Sequence, residues 1–232
     1  MTKENVLFTI VGLLAGLIIG FMGANSINQN AALRQGTGTE MGGFPPGHPA
    51  VPGGAGQMGA NAPEVQAAIE KAKAEPDNYD AQMTAGIFFA QIGRFDGAVE
   101  YFKKANQIRP DAYDAVVQLG NSYFDSDNFV EAEKWYVKAL SMKPDDVNVR
   151  TDLGLTFMFR QPADYDRAIK EFKASLEREP NHPQTLQNLT VAYTKTADAA
   201  NAGATLARLE SLDRSNPRLA DLRKEIEKLK TK

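Results

Sequence analysis

YDAVVQLGNSYFDSDNFVEAEKWYVKALSMKPDD, residues 113–146, is the stretch that decides the fold of this chain. It consists largely of helix formers and closes on Pro144, one member of a series. Pro76, Pro110, Pro144, Pro180 and Pro217 recur at intervals of 34, 34, 36 and 37. A period near 34 is the signature of stacked helical hairpins. Superposing the segments aligns Gly86, Gly120 and Gly154, then Ala98, Ala132 and Ala168, then Phe102, Tyr136 and Phe172. Phe89, Tyr123, Phe157 and Tyr193 form a fourth column, and Phe95, Phe129 and Tyr165 a fifth.

These columns have a physical reading. Glycine and alanine remove bulk where two antiparallel helices approach closest. The aromatic columns fill the space between one hairpin and the next. Proline cannot continue the second helix, so it closes the unit. Asp77, Asp111, Asp145 and Asn181 follow the prolines and can cap or turn the chain. No hairpin buries its apolar face alone, so stability comes from nearest-neighbour stacking.

Residues 113–146 resemble the tetratricopeptide repeat family. Leu119, Gly120, Tyr123, Phe129, Ala132, Tyr136, Ala139 and Pro144 stand where that family's pattern places them. The resemblance runs from Tyr79 to about Pro217 and implies an all-α solenoid of helical hairpins, wound as a right-handed superhelix. Two departures are expected to show. The third unit carries two extra residues around Pro162, and the fourth has Thr190 in the glycine column with about three extra residues around 196–203.

The expected organisation is an anchor at 1–24, a flexible linker at 25–62 and a solenoid at 63–232. The solenoid divides into a half repeat (63–78), four repeats (79–112, 113–146, 147–182, 183–216) and a capping helix (217–231). Val65, Ala68, Ile69 and Ala72 give the half repeat its apolar face. The capping helix starts at Asn216-Pro217 and presents Leu219, Leu222, Ile226 and Leu229.

Residues 6–24, VLFTIVGLLAGLIIGFMGA, are nineteen positions without a charge, long enough to span a hydrocarbon core of about 30 Å. A cleaved signal is the competing reading, with Ala24, Asn25 and Ser26 as its site; the length of the apolar run favours an uncleaved anchor. Lys3 precedes the run and no lysine or arginine follows until Arg34, which puts the solenoid outside the inner membrane; the cytoplasmic side is the alternative. Gly12, Gly16 and Gly20 stack on one face and suit a helix–helix contact, including self-association. Between Gly36 and Pro63 fall nine of the nineteen glycines and five of the twelve prolines, a composition that stays unstructured.

The remaining composition is exclusionary. A net charge of −3 argues against nucleic acid, and zero cysteines remove disulfides, thiolate metal sites and cysteine nucleophiles. Two histidines, His48 and His182, leave little for metal binding. No cofactor, metal or catalytic residue is expected, and the chain reads as a non-enzyme. Asn188-Leu189-Thr190 has the form of a glycosylation sequon but falls inside an expected helix.

In proteins similar to this one, the first helix of each hairpin lines a concave face. The resemblance thus implies a groove of Met83, Ile87, Val117, Phe124, Leu155, Met158, Phe159 and Val191, rimmed by Gln118, Asn121, Gln187 and Asn188. Phe124, Met158 and Phe159 are open to a second reading, as packing between hairpins. Family members that grip a carboxylate tail use lysine, arginine and asparagine at groove positions. At the particular places those members use, Asn121 is the residue that fits here, and Asp125 and Asp152 would repel such a tail. The expected function is a membrane-tethered scaffold that binds a partner peptide or protein. The alternative is an envelope assembly or chaperone-like factor, such as those of c-type cytochrome maturation, holding clients outside the inner membrane.

Overall fold

A computed structural model describes residues 63–231. The expected transmembrane helix, its Gly12, Gly16 and Gly20 face, and the linker with His48 lie outside the described residues. Ten helices and no strand occur among the described residues. They are α1 (Pro63–Ala74), α2 (Tyr79–Gln91), α3 (Phe95–Ile108), α4 (Tyr113–Asp125) and α5 (Phe129–Met142). Then come α6 (Val147–Phe159), α7 (Tyr165–Arg178), α8 (Pro183–Lys195), α9 (Ala199–Leu212) and α10 (Leu219–Lys230). Among the described residues, no helix is long and apolar enough to cross a membrane.

Each helix packs on the one before and the one after it, and α6 also touches α8. That nearest-neighbour pattern is the solenoid read from the period. α1 ends 34 residues before α3, so it is the second helix of a preceding unit; it buries Val65, Ala68 and Ala72. α10 closes the far end by burying Leu219, Leu222 and Ile226 against α8 and α9.

The glycine column is explained by rings. A Cβ on Gly86 would stand 2.5 Å from the Phe102 ring, and one on Gly120 2.6 Å from the Tyr136 ring. Gly154 meets Phe172 in the same way. The fourth hairpin departs at both places together. Thr190 replaces the glycine and Leu206 stands in the aromatic column, both buried.

Turns within the hairpins share one bond. The carbonyls of Phe89, Tyr123, Phe157 and Tyr193 accept the N–H of Arg94, Asn128, Asp164 and Asp198 at 2.8 to 2.9 Å. In three turns the middle residue is left-handed: Gly93 at φ 73°, Asp127 at 59° and Ala197 at 58°. The third turn, residues 160–164, loops out its two extra residues and contains a cis Gln161–Pro162 bond, yet keeps the shared hydrogen bond. Arg160 reaches Glu133 (3.4 Å) and Asp164 (3.2 Å), and Arg167 reaches Glu133 (2.6 Å), tying this longer loop to α5.

One expectation is corrected and another is narrowed. The fourth hairpin carries no extra residues: its turn is the same length as those of the first and second, and Pro217 stands 34 residues after Pro183. The interval of 37 arises because Pro217 corresponds to Pro183 at a helix start and not to Pro180 at a helix end. The capping helix proper then begins at Leu219, after a turn in which Asn216 Oδ1 accepts the Arg218 N–H at 2.9 Å. Of the two roles open to the residues after the prolines, capping or turning, the structure takes the second, and the caps sit one residue later. Asn78, Asp146 and His182 accept the N–H groups of Ala81, Val149 and Thr185, while Asp77, Asp111, Asp145 and Asn181 occupy the turns. Ala112 takes the same place with no side-chain acceptor.

Candidate functional site: the face of the first helices

The candidate groove residues all lie on α2, α4, α6 and α8, the first helices of the four hairpins. The fold divides them by depth. Met83, Val117, Gln118, Asn121, Phe159 and Val191 are half-buried, and Ile87 is exposed. Phe124, Leu155, Met158, Gln187 and Asn188 are buried. A buried side chain in a packed interior has no free face for a ligand, so these five are withdrawn from contact in this arrangement.

Packing accounts for the withdrawal. Phe124 lies edge-on to Phe129 (5.3 Å) and to Phe159 (5.9 Å), so it fills the seam between the second and third hairpins. Leu155 and Met158 belong to the same continuous core. Asn188 is fully buried and neither of its amide atoms has a hydrogen-bond partner. Burial inside α8 also closes Asn188 to the glycosylation that its sequon would otherwise allow. Trp135 packs on the core from α5 with Lys138 over its ring at 5.0 Å.

One polar set stands out on this face. The Tyr136 hydroxyl, on α5, donates to Asn121 Oδ1 on α4 at 3.0 Å. Asp125 follows one turn along α4, and Asp152 enters from α6. Burial, with Asp127 nearby, pushes the Asp125 carboxyl up to about 7. Burial, with Asp146 and Asp125 nearby, pushes Asp152 well above the ordinary carboxylate range. Both effects disfavour the charged form. Asp152 is only 3% exposed.

Beside this set, Asp146 receives the Val149 N–H (3.0 Å) on one oxygen and the Tyr113 hydroxyl (2.7 Å) on the other, joining the second and third hairpins. Burial, followed by the bond to Asp146, holds the Tyr113 phenol far above its usual value. Lys143 sits over the Tyr113 ring at 3.8 Å. Asp125 and Asp152 were legible as groove residues that repel a carboxylate. The part of Tyr136 was not, because its column reads as packing. Its hydroxyl, where the neighbouring units have phenylalanine, is the signal, since a buried phenol needs a partner.

At the third junction a hydroxyl chain links α6, α7 and α8. Thr151 Oγ1 lies 3.0 Å from Ser175 Oγ and 2.6 Å from Thr185 Oγ1, and Thr185 Oγ1 lies 2.6 Å from His182 Nδ1. Each hydroxyl has protein neighbours, so the chain fastens the fourth hairpin and offers nothing to a ligand. Two surface hollows of about 530 and 450 Å³ lie elsewhere, at the loops around Asn78 and Arg109 and beside Thr194 and Lys228. Neither is lined by a candidate groove residue.

Comparison with known proteins places the architecture. No curated protein matches the chain. A solved structure of MamA is 19% identical, covering 66% of this chain and 89% of that one, with a TM-score of 0.60. MamA from Desulfovibrio magneticus RS-1 is 20% identical, covering 66% and 85%, also at 0.60. A tetratricopeptide repeat protein from Parabacteroides merdae ATCC 43184 is 17% identical, covering 66% and 60%, again at 0.60. Identities this low show a common fold alone. Family models described as tetratricopeptide repeat match residues 89–153 and 160–226, and a second such model matches 55–113. The chain belongs to the tetratricopeptide repeat family.

Proposed function

We propose that this chain is a membrane-tethered scaffold that binds a peptide or protein along its first helices and recruits it to a bilayer. One observation carries the reading: the first helices keep a run of reachable side chains, from Met83, Ile87 and Val117 to Phe159 and Val191. Ile87 is 39% exposed, one of four large apolar side chains left in the open among the described residues. Adaptable methionine, aliphatic and aromatic surface beside the amides of Gln118 and Asn121 suits an extended or helical peptide. The tetratricopeptide fold generally mediates protein–protein interaction, which supports the same reading.

Residues 6–24 supply the anchor and residues 25–62 the tether. A flexible chain of 38 residues reaches about 35 Å, confining the solenoid to a shell above the bilayer and raising its effective concentration for partners there. Lys3 before the anchor orients the solenoid outside the inner membrane, and Gly12, Gly16 and Gly20 let anchors pair.

A photo-reactive residue at Val117 or Met83 tests the groove, with Val137 on α5 as the control. Val137 is apolar, 50% exposed and on a second helix. Partner capture at Val117 well above capture at Val137 is expected, and equal labelling would overturn the groove. A reporter active in one compartment, fused after Lys232, tests topology; activity on the cytoplasmic side would reverse the orientation.

A further inference from the structure

The turn before each first helix ends on the residue at that helix's cap, so the repeats can be compared cap by cap. Asn78 caps α2, Asp146 caps α6 and His182 caps α8, while Ala112 offers no side-chain acceptor before α4. An amide oxygen accepts at any pH, and a carboxyl keeps an acceptor oxygen when protonated. An imidazole accepts only while it is neutral, because both nitrogens of an imidazolium are donors. Among the described residues, His182 is the one cap that a proton turns from acceptor into donor.

The geometry assigns its neutral state. His182 Nδ1 accepts the Thr185 N–H at 3.3 Å, so that nitrogen carries the lone pair and the ring proton sits on Nε2. Thr185 Oγ1 lies 2.6 Å from the same nitrogen and donates to it. Having given its one proton, the Thr185 hydroxyl accepts from Thr151 Oγ1 at 2.6 Å, and Ser175 donates to the Val147 carbonyl at 2.9 Å. The bonds from α6 thus run in one direction, towards the ring on α8. Thr151, Ser175 and Thr185 are buried, so a partner lost here is not replaced by bulk water.

We infer that the third junction is a pH-sensitive hinge, in which a proton taken from water by His182 Nδ1 uncaps α8 and loosens the fourth hairpin from the third. The new Nδ1–H donates to Thr185 Oγ1 and the hydroxyls reverse: Thr185 donates to Thr151, and Thr151 to the Val147 carbonyl at 2.8 Å. The Thr185 N–H cannot follow, because it is a donor left facing a donor inside a fully buried residue. The charge also stands at the N-terminus of α8, where the helix dipole opposes it. Burial lowers the pKa of His182 and Glu179 raises it to a smaller extent, so the loosening belongs below the ordinary value of 6.5. Charged groups on the elements around α8 are engaged elsewhere. Arg150 of α6 reaches Glu171 of α7 and the Pro144 carbonyl, and Arg178 of α7 reaches Asp145. Arg208 of α9 donates to the Pro180 carbonyl, and Arg218 lies 3.9 Å from Asp221 of α10. The hinge needs no ligand and stands apart from the groove reading.

Backbone hydrogen exchange tests it, on the full chain in detergent micelles at about pH 7.5 and about pH 5, with rates corrected for their intrinsic pH dependence. The reference is the first turn of α4, where Ala112 has nothing to titrate. Protection of the first turn of α8 is expected to fall about five- to tenfold against that reference at the lower pH, the size of a helix cap. His182→Asn keeps an acceptor, as Asn78 does before α2, and removes the titration, so its α8 should be equally protected at both pH values. A thermal melt checks that the variant folds. Nitrogen-15 spectra of the parent's imidazole, which need no variant, should show Nδ1 without a hydrogen at the higher pH. The hinge would be overturned by unchanged protection of α8, by an equal loss in α4, by a loss that persists in His182→Asn, or by a hydrogen on Nδ1 at the higher pH.

Discussion

Gly154 has no side chain where the ring of Phe172 lies across it, so the two residues occupy one volume between them. The fourth hairpin solves the same problem differently, with Thr190 and Leu206 at the equivalent places. Residue pairs that share a volume should change together. Gly154→Thr alone should destabilise by about 1–3 kcal/mol, the usual range for overpacking. Adding Phe172→Leu should return a large part of that loss, because the smaller side chain vacates the space. Urea midpoints of the two single variants and the double variant measure the coupling. Simple additivity would mean that the two residues do not share the volume.

The pairing also shows how far the sequence could be read. The helical array follows from Pro76, Pro110, Pro144 and Pro180, because a helix stop every 34 residues leaves room for one hairpin only. Thr190 was visible as a break in the glycine column. That Leu206 answers it was not, because a volume shared across two helices has no signature in either helix alone. Pro217 misled for a related reason, since proline serves at a helix start as well as after a helix end, and its spacing does not say which. The depth of the groove residues was the least legible. Position on a first helix fixes the side of Asn188 and Leu155, but the neighbours that cover them come from α5, α7 and α9, whose rotation about their axes is set by packing.

Ala197 is the only alanine among the left-handed turn residues, at φ 58°, with Gly93 and Asp127 in the matching places. A left-handed backbone costs a residue with a Cβ about 1–2 kcal/mol, and glycine escapes that cost while losing more entropy on folding. Ala197→Gly should therefore stabilise the chain by about 0.5–1 kcal/mol. Ala197 is exposed, so no packing changes with it. A thermal melt in which the glycine variant unfolds earlier than its parent would contradict this.

Asn188, on α8, is fully buried with both amide atoms unpaired. A buried polar group left without a partner costs about 1–3 kcal/mol, and an apolar group of similar shape removes that cost. Asn188→Leu should raise the unfolding midpoint accordingly. The variant also asks whether the amide reads a ligand. If it does, the stabilised protein should capture less partner through a crosslinker at Val117, and unchanged capture assigns Asn188 to the interior.

Asp125 gives the solenoid a pH dependence whose sign is fixed. Its carboxyl is pushed up to about 7 in the folded chain by burial and then by Asp127, against about 3.9 when unfolded. Between those values the folded state holds a proton that the unfolded state has lost. The stability this carboxyl contributes is thus fully present below about pH 4 and is lost as pH rises to about 7. The slope is at most about 1.4 kcal/mol per pH unit for one proton, and Asp152, raised by burial with Asp146 and Asp125, adds in the same direction. His182 works oppositely. Burial lowers its pKa against a smaller opposing effect of Glu179, so its contribution falls as the pH drops below its ordinary value of 6.5. Comparing each pH with the variant Asp125→Asn cancels the histidine, which both proteins share. Urea midpoints of the parent should fall relative to the variant from pH 4 to pH 7. Parallel curves across that window would mean that Asp125 titrates in the folded chain as it does in the unfolded one.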